Sequence, residues 1–143
     1  MKKITFDTGL EEILIGGGVL RFNPQDPNLF VRFLDASEKL QEIEAELVAK
    51  AETCSDNGAD AMRLLHDADV RMKELLSWVF GSGNDFDAIL GGVNLLAVAS
   101  NGQRVVTNLF AALEPVMIEG AERCAESRTT EAVEKANARR ALQ

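Results

Sequence analysis

The chain has 143 residues, 46% of them hydrophobic and 27% charged, which suits one domain with a core of its own and excludes disorder throughout. Its formal net charge of −8 is the opposite of what a phosphate-neutralising surface needs, so nucleic acid is not an expected partner. No apolar run approaches the roughly 20 residues that cross a bilayer, and the stretch after Met1-Lys2-Lys3 lacks the long apolar core of a secretory signal, so neither a membrane span nor export is expected.

The β-signals come first. Ile4-Thr5-Phe6 is a short β-prone run, and Asp7-Thr8-Gly9 reads as a turn after it. Glu11-Glu12-Ile13-Leu14-Ile15 and Val19-Leu20-Arg21-Phe22 flank Gly16-Gly17-Gly18, whose freedom to adopt positive φ suits a hairpin turn. A two- or three-stranded sheet is therefore expected over residues 4–22. Such a sheet is marginal alone and must pack on helices or pair with another chain.

Asn23-Pro24-Gln25-Asp26-Pro27 ends the strand, because proline has no N–H for a ladder and suits a helix's first turn. The spacing then predicts a helix over residues 27–53, with Phe30, Phe33, Leu34, Leu40, Ile43, Leu47 and Ala51 in one stripe. Between residues 35 and 60 there are eight acidic residues against two lysines. This is the pattern of a solvated helix face. Ser55-Asp56-Asn57-Gly58 predicts a turn, and residues 59–80 predict a second helix antiparallel to the first. Leu40, Ile43, Leu47, Met62, Leu65, Met72 and Leu76 are expected to share the core between them.

Glycines punctuate residues 81–102. One or two helical turns are expected over residues 85–92, and a short apolar helix over 94–100. Such pieces cannot hold a helix by local energy alone. Phe86, Ile89, Leu90, Leu95 and Leu96 are therefore candidates for a surface that meets a partner, which includes another copy of the chain. The alternative is that they fold back over the long helices and complete the core. A last helix is expected from about Gln103, with Val106, Leu109, Phe110, Leu113 and Met117 on its apolar side and a kink at Pro115. Residues 1–126 thus read as one α+β domain, mostly helical, and residues 127–143 as a charged tail, either helical or frayed and flexible, with little to bury.

Residue types that carry chemistry are sparse. His66 is the only histidine; with Asp67 and Asp69 nearby it still lacks the converging ligands a metal needs. Cys54 and Cys124 form no Cys-x-x-Cys pair and read as reduced thiols in a cytoplasm. Nothing in the spacing places either beside His66 as a catalytic pair. Gly16-Gly17-Gly18 leads into a strand, not into the helix N-terminus that a phosphate loop requires. Asp85-x-Asp87 begins like a calcium loop but lacks its later ligands. No cofactor, metal or catalytic residue is assigned, and the chain is read as a binder of proteins, not an enzyme.

The order of parts carries a resemblance. A glycine-turned hairpin leads through Leu20-Arg21-Phe22-Asn23-Pro24-Gln25-Asp26-Pro27-Asn28 to Phe30-Val31-Arg32-Phe33 at the head of a long acidic helix. Phe86-Asp87-Ala88-Ile89-Leu90-Gly91-Gly92 then precedes a helix carrying Phe110-x-x-Leu113-x-Pro115-Val116. Over most of residues 4–125 the chain resembles tail assembly chaperones of long-tailed bacteriophages. The resemblance implies a protein of the host-cell cytoplasm that binds the tape measure protein, recruits tail tube protein and leaves before the virion matures. Some members are also made as a longer product by ribosomal frameshifting. No family residue with a catalytic role is carried over. Two other functions fit the composition: a structural or connector protein retained in the tail, and a small acidic inhibitor of a host protein.

Overall fold

A computed structural model of the chain describes residues 1–53 and 58–142. Two strands, β1 (Glu11–Ile15) and β2 (Gly18–Phe22), precede four helices: α1 (Pro27–Glu52), α2 (Gly58–Phe80), α3 (Phe86–Ile89) and α4 (Val105–Ala141). The fold is a mostly helical α+β arrangement with its small sheet at the N-terminal side, as the sequence predicts. Among the described residues, no helix is long and apolar enough to cross a membrane.

β1 and β2 pair antiparallel, with Ile13 opposite Leu20 and Leu14 opposite Val19. The pleat therefore sends Ile13, Leu20 and Phe22 inward and leaves Glu12, Leu14, Val19 and Arg21 on the outer face. Leu20 and Phe22 are buried, which fixes the register: a slip of one residue would put Arg21 in the core. The expected strand at Ile4-Thr5-Phe6 does not form. Its neighbour Thr8 is held instead by the Asn23 side chain, whose Nδ2 donates to Thr8 O at 3.0 Å. That bond keeps the chain beside the end of β2, so it does not turn back along β1.

Asp26 caps α1 by accepting from the Asn28 N–H at 2.9 Å, with Pro27 in the first turn. α1 and α2 run antiparallel, since Arg32 near the head of α1 donates to Val79 O near the end of α2 at 3.0 Å. Further along α1, Glu46 pairs with Arg71 at 2.8 Å. The predicted turn at Ser55-Asp56-Asn57 lies outside the described residues, as does Cys54. Leu40, Ile43, Met72 and Leu76 are buried together, while Leu47 and Leu65 pack at the edge of the core. Met62 departs from the expectation: it is 62% exposed. It stands in the second turn of α2, where Leu64 and Leu65, not Met62, are the partly covered positions. Leu47→Ala is accordingly expected to cost about 1 kcal/mol, the scale of a typical point substitution. The same truncation at the fully buried Leu76 should cost about 2–5 kcal/mol. Urea unfolding of the two variants side by side checks the difference.

α4 begins at Val105 and continues past Pro115 as one helix. Val106, Leu109, Leu113 and Met117 are buried, and Phe33 of α1 stacks on Phe110 of α4 with ring centroids 5.3 Å apart. Gly120 is the last buried position of the helix. Residues 127–141, the charged tail, continue α4 with every side chain exposed.

Candidate functional site

Residues 81–102, the stretch expected to face a partner, are fastened to the core. Phe86, Ile89, Leu95 and Leu96 are buried and Leu90 is half-buried. Ring contacts link Phe86 to Phe80 at 5.5 Å and Phe80 to Phe22 at 5.0 Å. One aromatic cluster thus joins α3, α2 and the hairpin. The placement of these residues on an open surface is corrected: they complete the core. Only α3 forms as a helix here. The expected helix over 94–100 is replaced by turns and by an isolated bridge between Val98 and Arg104.

Polar groups supply the hold that local helix energy lacks. Lys73 of α2 is buried and donates to Asp69 Oδ2 at 2.8 Å, Asp87 Oδ1 at 2.6 Å and Val93 O at 2.8 Å. Asp69, also buried, accepts the Leu95 N–H on its other oxygen at 2.7 Å. Burial pulls the Lys73 ammonium towards neutrality, but the hydrogen bonds and charges of Asp69 and Asp87 outweigh it and hold its pKa above the ordinary lysine value. All three ammonium protons are engaged, so Lys73 serves here as a hydrogen-bonded cation. Asn84 acts as a substitute strand beside β2. Its Oδ1 accepts the Arg21 N–H and its Nδ2 donates to Arg21 O, each at 2.8 Å, while Nδ2 also reaches Phe80 O at 3.0 Å. No buried side-chain nitrogen or oxygen lacks a partner among the described residues.

Sequence reasoning passed over Lys73, Asp69 and Asn84. A signal for the first two was present: Leu65, Asp69, Met72 and Leu76 share one helical stripe. An ion pair with i,i+4 spacing on the apolar face of a helix is the mark of a buried pair. Asn84 carried no such signal, because its partner on β2, Arg21, lies 63 residues away.

Among the described residues, two largely apolar surfaces are open. One is a cleft of about 290 Å³ where the head of α1 meets the middle of α4, walled by Phe30, Val31, Ala121, Cys124 and Ala125, with Asp26 and Arg128 at its rim. Leu34, one turn beyond Val31, is half exposed. The other is the N-terminal arm with the outer face of the hairpin, where Ile4, Phe6, Leu10 and Leu14 are exposed. Cys124 is a free thiol on the cleft wall. His66 is exposed on α2, and no group of three or more His, Cys, Asp or Glu among the described residues is placed to hold a metal. Comparison with protein-family models, with curated proteins and with solved structures gives no match for this chain.

Proposed function

We propose that the chain is a protein-binding assembly factor, of the tail assembly chaperone kind that its sequence resembles, and that it covers an amphipathic helix of a tape measure protein. The observation that carries this reading is the open cleft between α1 and α4. Its walls are apolar and its charges sit at the rim. An amphipathic helix binds through anchors spaced along one face, and a groove with apolar walls and a polar rim receives such anchors. From the cleft onward, residues 121–141 of α4 have only Ala121 and Cys124 partly covered. At 1.5 Å per residue this is about 30 Å of helix along which a helical partner can extend. The net charge of −8 keeps a complex of apolar stripes from clumping.

The test is co-purification of the full chain with the tape measure protein, followed by an affinity measurement. Val31→Asp places a charge on the exposed side of the cleft and is expected to raise the dissociation constant at least about tenfold. Met62→Asp, at the far end of the helical pair, should leave it unchanged. An affinity insensitive to Val31→Asp would remove the cleft from the binding surface. Stoichiometric recovery of the chain in purified virions would favour a retained tail component over a chaperone.

A further inference from the structure

β1 has one free edge. Arg21 on β2 turns its backbone groups away from β1 to meet Asn84. Arg21 and its partner Glu12 are therefore a non-hydrogen-bonded pair, and Glu12 and Leu14 point their own N–H and C=O groups outward. Asn84 occupies the edge of β2, but nothing among the described residues occupies that of β1. Natural proteins blunt such edges with lysine, proline or a bulge. The Ile13-Leu14-Ile15 end of β1 has none of these, and the charges of the strand, Glu11 and Glu12, sit at its other end.

Residues 2–6 are the counterpart. Lys2-Lys3-Ile4-Thr5-Phe6 is β-prone, carries two adjacent basic charges, and takes no secondary structure. Ile4 is 84% and Phe6 78% exposed. The Asn23–Thr8 bond fixes the root of this arm beside the end of β2, on the side of the hairpin opposite the free edge of β1.

We infer that residues 2–6 of one copy add as a third strand along the free edge of β1 in a second copy. The charges set the direction. Running parallel to β1 puts Lys2 beside Glu12 and Lys3 diagonal to Glu11. The same register places Ile4 beside Leu14 and extends the outer-face pair Leu14–Val19. An antiparallel arm would carry the lysines to the apolar end of the strand. The added strand satisfies the outward backbone groups of Glu12 and Leu14 and covers the otherwise exposed Leu14. A two-stranded sheet becomes three-stranded, the size at which sheets gain stability of their own. This self-association is independent of the cleft and of any tape measure protein.

Sedimentation of the full chain over a concentration series should show a mass that rises above the monomer. Ile4→Asp combined with Phe6→Asp should raise the self-association constant for dissociation at least about tenfold. Ile4 and Phe6 are mostly exposed in the monomer, so this variant should keep the wild-type melting curve, and added salt should weaken the wild-type assembly. Carbodiimide coupling in an equal mixture of light and isotope-labelled chains should give mixed-isotope peptides joining Lys2 or Lys3 to Glu11 or Glu12. A monomer at every concentration would overturn the proposal. So would association unaffected by the double variant, or coupled peptides of one isotope only, which would mean that each arm folds on its own β1.

Discussion

Replacing Asp69 by alanine is expected to destabilise the protein by about 3–5 kcal/mol, the cost of removing one partner from a buried ion pair. Two losses combine. Lys73 keeps its charge in a buried position with only Asp87 and Val93 O left, and the buried Leu95 N–H loses its acceptor. Asp87 cannot compensate, because its side chain is 66% exposed and shares its charge with water. Replacing Asp69 and Lys73 together by leucine and methionine should recover much of the loss, since well-packed apolar residues can stand in for a buried pair. Amide exchange gives the local signature. Protection should fall first across residues 85–97, where Asp69 and Lys73 fasten the loop to α2. Loss of protection confined to other regions, or a cost below about 1 kcal/mol, would mean that water reaches the pair and that it behaves as a surface bridge.

The same network sets a pH expectation. A group whose folded pKa is raised contributes its stability below the unfolded value and loses it as pH rises through the folded value. For Lys73 the contribution is therefore whole at neutral pH, and it fades only above the ordinary lysine value of about 10.4. Chemical denaturation of the wild type and Asp69→Ala at pH 7 and pH 9 should give the same difference in stability at both.

How far the sequence discloses this fold depends on whether a residue's partners are near it in the chain. The hairpin and the two long helices rest on period-2 and period-3.6 patterns and on local turn chemistry, and they form where those signals lie. The strand at Ile4-Thr5-Phe6 does not, because propensity alone gives no partner and Asn23 holds Thr8 beside the end of β2. Residues 94–100 fail as a helix for a related reason. Asn94 spends its side chain on its own loop and on α2, accepting the Leu96 N–H at 2.7 Å and donating to Leu65 O at 3.2 Å. The backbone of Leu95 is taken by Asp69 and by Val106, so no i→i+4 ladder remains to be made. The candidate partner residues Phe86, Ile89, Leu90, Leu95 and Leu96 were legible as residues in need of something to pack on. That the something is the same chain rests on Lys73 and Asn84, whose contacts span 14 to 63 positions. The cleft was not legible at all, because Phe30 and Cys124 meet only when α4 has crossed the head of α1.

That crossing depends on Gly120, and Gly120→Ala is expected to destabilise where such a change in a helix usually helps. In an open helix interior, alanine is favoured over glycine by about 0.5–1 kcal/mol. At Gly120 an added Cβ would overlap the backbone carbonyl of Pro24. Neither side can yield cheaply, since one is a helix backbone and the other the proline-bounded turn that leads into α1. Only withdrawal of α4 relieves the overlap, and overpacking of this kind costs about 1–3 kcal/mol. Gly58→Ala at the start of α2 is the matched control, because a Cβ there meets nothing within 4 Å. It should be neutral or slightly stabilising in the same urea titration. The consequence reaches the proposed function, since Ala121, Cys124 and Ala125 follow Gly120 directly and form the α4 wall of the cleft. Gly120→Ala should therefore weaken binding of the tape measure protein by more than its cost in stability explains, while leaving self-association through the N-terminal arm intact. A Gly120→Ala protein as stable as the wild type would show that α4 does not approach Pro24 this closely, and that the cleft is wider and shallower than a groove for a helix.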